Sequence, residues 1–376
     1  MDRRTLLLAS VAAATAAGLA APARAKPPRR QAAKHEPPAP AAPEAVNEAM
    51  RGFASLDLGA DGRASCLIVA DARAGANTPA SGSQADSQGS QGGKGGKEQP
   101  GGPEPKTLWR ASHAPDEPLF VGSAIKTFIL AEFLRQHEAG KVSLNAQALI
   151  DDSVRSLSSP VFLNLTGRTP HVSVLEAMIT HSDNTATDVA LAASGPANVR
   201  ALIQKAGLTK TRIPDSTRAL FGWLAGGDAG VDPGWQGLQA IAAGSTPPNS
   251  RSPMAGDGPS MRSTASDLVA WHRAAMTGRF FEKPETLQQY RRIMAMADAL
   301  PQVVPPDILA WGKGGSIDWG DFHCFSLAGQ VLTAGGPATF CFTINWRGPN
   351  ADTPRIFAAY RDAVRKALTE TCNARA

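Results

Sequence analysis

Charge is thin in this chain, at 19% Asp, Glu, Lys and Arg, and aromatic side chains make up only 6%. The formal net charge of +5 comes without any dense basic run, so nucleic acid is not implied as a partner. The four cysteines fall in no C-x-x-C spacing and the seven histidines do not pair at ligand spacing, so neither a metal nor any other cofactor is expected. Beyond residue 25 no stretch approaches membrane-spanning length. What is present in quantity is apolar surface, at 43%, which excludes a wholly disordered chain. Gly 36 and Pro 29 exceed their usual shares, as happens when structureless segments are added to an ordinary domain.

Local absences locate those segments. Residues 26–43 hold no aliphatic side chain larger than Ala and read as a Pro/Ala tether. Residues 72–106 hold no Val, Ile, Leu, Phe, Met, Trp, Tyr or Cys, so nothing there offsets the entropy of ordering. The first 25 residues differ from both. Arg3-Arg4 precede a stretch free of charge from Thr5 to Ala23, and Ala23-Arg24-Ala25 is a small-x-small cleavage site. The expectation is a cleaved secretory signal peptide, with the paired arginines similar to a twin-arginine signal, and a periplasmic or secreted destination. Cleavage removes three Arg and one Asp, taking +5 to +3. Cys66, Cys324, Cys341 and Cys372 would then meet an oxidising compartment, with three full pairings open.

The remaining pattern, over 44–376, reads as one catalytic domain. An amphipathic helix is expected over 44–54, a strand over 63–70 and another over 107–112, the two forming a hairpin whose turn is the 72–106 insert; its disorder costs little because loop-closure entropy grows logarithmically. Helices follow over 123–140, 174–180, 185–193 and 196–206. Residues 208–260 read as irregular, and a helix over 263–277 is capped by Ser263 or Thr264. Strands over 322–331 and 338–345, turning at Thr333–Gly336, and a helix over 356–368 close the chain. Strands at both ends with helices between them describe an α/β sandwich carrying a mostly all-α lobe over 122–260.

Three short motifs carry chemistry. Ser123 and Lys126, at i and i+3, share one helical face, and a lysine amine of lowered pKa can take the proton of a serine hydroxyl. The bland reading makes Ser123 a helix cap and Lys126 a solvated or snorkelling side chain, although its neighbours Ile125 and Phe128 disfavour free solvation. Ser182-Asp183-Asn184 stands between two helices and reads equally well as a cap. Lys313-Gly314-Gly315, followed by Ser316, leads into the late hairpin and by itself reads as a loop.

Taken together, in this order and at intervals of 59 positions from Ser123 to Ser182 and 50 from Ser263 to Lys313, the motifs resemble the active-site serine, S-D-N and K-T-G motifs of class A β-lactamases and related penicillin-binding enzymes. The resemblance covers about 44–71 and 107–376. It implies a five-stranded antiparallel sheet flanked by helices, and a serine hydrolase that cleaves amide C–N bonds in β-lactam or peptidoglycan-like substrates. Ser123 would be the nucleophile and Lys126 its proton acceptor. Ser182 would relay a proton to the leaving nitrogen, and Lys313 would keep Ser182 poised. Asn184 would bind the substrate's side-chain amide. The backbone N–H groups of Ser123 and Ser316 would form the oxyanion hole. Gly315 would keep the strand clear for substrate.

Two departures matter. Gly314 stands where the family has Thr, so a carboxylate-binding hydroxyl is missing unless Ser316 supplies it. Between Asn184 and Lys313 the only glutamates, Glu282 and Glu285, lie beyond Ser263, so the glutamate that deacylates class A enzymes has no counterpart. Asp215 is the nearest carboxylate in the expected segment, followed by Asp228 and Asp232, and Asp215 reads first as a turn or cap residue. His323 or Arg347 could stand in for the family's carboxylate-binding arginine; Trp223, Trp235 and Glu176 read as structural. The alternatives to a β-lactam-acylated hydrolase are a D-Ala-D-Ala carboxypeptidase or other cell-wall peptidase, and a non-catalytic binding homologue.

Overall fold

A computed structural model describes residues 40–73, 105–244 and 249–374. The signal peptide expected over 1–25 and most of the expected tether lie outside these residues, as does most of the 72–106 segment. The last residues of the tether are packed. Ala41 bridges to Arg110 and Ala42 is buried.

In chain order, α1 (Glu44–Ala54) precedes β1 (Arg63–Asp71), β2 (Thr107–His113) and the short β3 (Leu119–Phe120). A 3-10 turn, Gly122–Ile125, runs into α2 (Lys126–Glu138). The helical lobe continues with β4 (Gln147–Ile150), β5 (Gly167–Pro170), α3 (His171–Thr180), α4 (Asn184–Ser194), α5 (Pro196–Lys205), α6 (Thr217–Leu224) and α7 (Gly234–Ala243). Then come β6 (Arg262–Ser263), α8 (Ala265–Met276), α9 (Pro284–Met294), β7 (Ala310–Trp319), β8 (Phe322–Leu332), β9 (Pro337–Arg347) and α10 (Thr353–Asn373).

The main sheet has the order β2-β1-β9-β8-β7, every pair antiparallel. β8 and β9 are buried along nearly their whole length, because α1 and α10 cover one face and α8 the other, so the usual in-out alternation is lost. β1 and β2 pair directly on either side of the insert, as the hairpin reading requires. α1 has the bounds expected from the sequence, since Val46, Ala49, Met50 and Phe53 recur at helical spacing and bury one stripe. In α2, every residue from Lys126 to Leu134 is buried, which makes it the central helix of the lobe.

Several expectations need correction. The helix expected from residue 123 begins as a 3-10 turn, and the α-helix proper starts at Lys126. Residues 208–260 are not wholly irregular, since α6 and α7 form there despite their glycines; Ser216 caps α6 by accepting from Ala219 N. Lys313-Gly314-Gly315 lies inside an edge strand, not in a loop before the hairpin. α9 and β7 were not expected, although α9 buries Thr286, Tyr290, Ile293 and Met294 at helical spacing behind a Pro at its first turn. Thr264, not Ser263, caps α8. All four cysteines are free thiols, with Cys66, Cys324 and Cys341 buried in the sheet. Among the described residues no helix is long and apolar enough to cross a membrane.

Candidate active site

The serine turn is fixed from both ends. On the N-terminal side, Phe120 exchanges hydrogen bonds with the Asn345 side chain (2.9 Å each way), and Cys324 Sγ donates to Phe120 O at 3.0 Å. On the C-terminal side, Thr127 Oγ1 lies 2.6 Å from Tyr290 OH and accepts from Trp271 Nε1 at 3.0 Å, tying α2 to α9 and α8. Ser123 is therefore no helix cap. It is the half-buried second residue of a turn that is otherwise buried, and it makes no capping hydrogen bond.

That turn meets β7 backbone against backbone. A Cβ on Gly122 would lie 3.0 Å from Ser316 N, and a Cβ on Gly315 would lie 2.1 Å from Val121 O and 2.8 Å from Ser123 N. Gly315 is thus needed for the approach of the strand to the serine turn, a packing reason in addition to the clear substrate path expected of it. The same contact places the N–H groups of Ser123 and Ser316 on adjoining segments.

Lys126 is fully buried, and its amine donates to Ser182 O at 2.6 Å, Asn184 Oδ1 at 2.8 Å and Ser182 Oγ at 3.3 Å. None of these bonds goes to Ser123. Burial, and then the nearby Lys313 charge, hold the Lys126 amine well below its ordinary pKa, while Asp183 and Asp188 pull the other way. Ser182 reaches Lys126 with both its carbonyl and its hydroxyl because its backbone is left-handed, at φ 59°, an uncommon state for a residue other than glycine. Asp183 holds that geometry. One oxygen caps α4 at Ala186 N, and the other accepts from Val161 N and Phe162 N. Asn184 is fixed by donating to Leu157 O.

Lys313 is also buried, donates to Gly314 O at 2.8 Å, and is pushed down to about 8 by burial, with Asp298 opposing. The structure therefore gathers Lys126, Ser182, Asn184 and Lys313 around one another, with Ser123, Gly315 and Ser316 at the adjoining backbone contact. A neutral amine beside a serine turn, with a second ammonium nearby, can remove a hydroxyl proton and then stabilise an anion.

The secondary candidates lie elsewhere. Asp215 is exposed and paired with Arg200 (2.8 Å), Asp232 is paired with Arg218 (2.7 Å), and Asp228 is exposed. His323 is buried against Trp346 and bonded to Asp318 and Gly348 O, and Arg347 pairs with Asp321. Neither lines the cavity beside Lys313; Arg361 of α10 and Asp298 do. Sequence reasoning missed both, because they come from distant elements with no motif around them. Asp188 was missed as well. It is buried on α4, accepts from Thr217 N, Thr217 Oγ1 and Arg218 N, and so pins α6 to the floor of the site; burial pushes its carboxyl up to about 6. Glu176 pairs with Arg292, Trp223 is buried under Arg251, and Trp235 lies near Arg155, all of them structural roles.

The model of the β-lactamase enzyme family matches residues 105–362, well over half of the chain. The chain belongs to that family. Its fold is class A β-lactamase-like, as three solved structures illustrate. PBP-A is 15% identical with a TM-score of 0.60, covering 90% of this chain and 99% of its own. A mutant of PBP-A, described as an acyl-enzyme complex with penicillin G, is 16% identical with a TM-score of 0.58, covering 90% and 100%. A β-lactamase from Xanthomonas campestris pv. campestris is 18% identical with a TM-score of 0.60, covering 87% and 98%. At the level of sequence, no curated protein matches the chain.

Proposed function

We propose that this β-lactamase-family protein is an exported serine hydrolase, acylated at Ser123 by β-lactams or related amides and turned over slowly. The observation that carries the reading is the buried Lys126 amine, held by Ser182 and Asn184 and biased towards its neutral form. Lys126 takes the Ser123 proton as Oγ bonds to the carbonyl carbon. The oxyanion is met by the N–H groups of Ser123 and Ser316, and Ser182 passes the proton to the departing nitrogen as the C–N bond breaks. Lys313 stabilises the anion on the substrate side, and Asn184 receives the substrate's side-chain amide. The acyl-enzyme described for the PBP-A mutant supports acylation of this fold by penicillin.

Slow turnover follows from the carboxylates. Among the described residues of that segment, Asp215 and Asp232 are paired with Arg200 and Arg218, and Asp228 and Asp257 are exposed, so none is set up as a buried base for the deacylating water. The same observation favours a second reading, a D-Ala-D-Ala peptidase. Mass spectrometry after incubation with a penicillin is expected to show one adduct, on Ser123, that persists for minutes and is absent from Ser123→Ala. A folded protein without the adduct would refute acylation. Turnover of a D-Ala-D-Ala peptide, with none of a chromogenic cephalosporin, would select the second reading. Export is tested by N-terminal sequencing of periplasmic protein, which should begin at Lys26.

A further inference from the structure

Asp188 is buried on α4, four residues after Asn184, so the two side chains share one face of the helix with about 6 Å between their Cβ atoms. Asn184 Oδ1 accepts from Lys126 Nζ at 2.8 Å, which puts Asp188 one helical turn from the group that holds the buried amine. The bonds of Asp188 run the other way, into α6. Thr217 N donates to it at 2.6 Å, Thr217 Oγ1 at 2.7 Å and Arg218 N at 3.2 Å. Two of these donors are backbone N–H groups of the first turn of α6, which the helix itself leaves without acceptors. The Thr217 hydroxyl lies in turn 2.7 Å from Ser156 Oγ. Three donors converge on one carboxyl, so the seat is built for the anion, although burial pushes the group up to about 6.

Lys313 of β7 acts against the ammonium form of Lys126, and Asp183 and Asp188 act for it. Asp183 is held by the backbone of Val161, Phe162 and Ala186, the loop and cap that it organises. On the helices packed against α4, Glu132 of α2, Glu176 of α3, Arg200 of α5 and Arg218 of α6 each form an ion pair of their own. Asp188 is thus the carboxylate that joins the surroundings of the amine to a separate element.

We propose that Asp188 is a positioning residue for acylation: its carboxylate counterbalances Lys313 at the Lys126 amine and, through the first turn of α6, ties the strength of that base to the seating of the helix. The inference rests on Lys126 being the base that takes the Ser123 proton. That transfer turns a neutral amine into a buried ammonium, and Asp188 is the anion one turn away from the new charge. Without it, burial and Lys313 are opposed by Asp183 alone. More of the amine is then neutral in acid, but it is a weaker base.

The test is Asp188→Asn, which keeps the size of the side chain and leaves only the Arg218 N–H without an acceptor. Acylation of Ser123 by a penicillin, followed by mass spectrometry across pH, should be about tenfold faster than in the parent on the rising limb, as loss of a nearby opposite charge implies. On the plateau it should be about threefold slower, because the base is weaker. Asp188→Glu keeps the charge but not the bonds to α6, so its limb should stay at the parent's pH while its plateau falls. An equal loss at every pH in Asp188→Asn, with the limb unmoved, would make Asp188 a structural residue of α6 and overturn the proposal. The 13Cε NMR signal of Lys126, assigned by its disappearance in Lys126→Met, reads the same amine without acylation, and its midpoint should fall in Asp188→Asn. If the midpoint falls but no penicillin acylates Ser123, the acylation reading fails and the link from Asp188 to Lys126 stands. The parent protein alone decides the matter should a variant not fold. Interacting groups titrate together, so the Lys126 signal and the Thr217 amide signal, which reports Asp188, should share an inflection near pH 6. Independent titration of the two would overturn the proposal.

Discussion

The two faces of β7 are built on opposite principles. Towards the serine turn, Gly315 touches backbone and Lys313 is buried close to a second buried lysine. Towards α10, Gly314 and Ser316 border an open cavity lined by Phe325, Phe357, Tyr360 and the half-exposed Arg361. The tight face holds groups whose energetic cost is high: two amines kept out of water, and a serine at φ 59°. Such costs persist only where the surroundings over-determine them, which is how a site keeps reacting groups in place before substrate arrives. The open face holds nothing costly, and its residues can change without unfolding the protein.

The largest break in this contrast should come from the tight face. Lys126→Met fills similar volume with no amine, so the fold should survive while acylation of Ser123 by a penicillin falls about 1,000-fold, within the range for loss of a general base. Stopped-flow or mass-spectrometric acylation rates would measure it. A loss of less than about tenfold would mean that another group accepts the serine proton.

The two glycines sharpen the contrast within one strand. Gly315→Ala drives a methyl against Val121 O and Ser123 N, which are main-chain atoms tied down on both sides, and should cost about 3 kcal/mol of stability. Gly314→Ala meets only the Ala299 methyl on an outer segment that can shift, and should cost about 1 kcal/mol. Denaturant midpoints of both variants decide it. Equal losses would mean that the two faces are packed alike.

The same contrast explains what could be read from the sequence. Ser123, Lys126, Ser182, Asn184 and Lys313 were legible because the chemistry needs fixed residue types at near-fixed spacing. α1 was legible because Val46, Ala49, Met50 and Phe53 carry a clean helical period. β7 was not, because Gly312, Gly314 and Gly315 give it little strand character; they are there for contacts that only the folded chain reveals, such as Gly312 against Ala328 O. α6 and α7 were hidden by glycines in the same way. Asp298 and Arg361 reach the cavity from elements far apart in sequence, and no local pattern marks them. The reason for Gly314 could be found only once Ala299 was seen beside it.

Lys313 belongs to both regions, and its titration tests how they are joined. It lines the cavity, and its charge is one cause of the lowered pKa of Lys126. Acylation needs Lys126 neutral and Lys313 charged. The rising limb of the pH profile, set by Lys126, lies well below the ordinary lysine range, and the falling limb follows Lys313 near pH 8. Above that pH, kcat/KM for an anionic substrate should drop about tenfold per unit. Lys313→Arg should move the falling limb out of range, since a guanidinium keeps its charge. The Asp298 carboxylate favours the ammonium form of Lys313, so Asp298→Asn should shift the falling limb below pH 8 with little change at its plateau. If Asp298 served only to hold its segment in place, the plateau would fall and the limb would stay where it is.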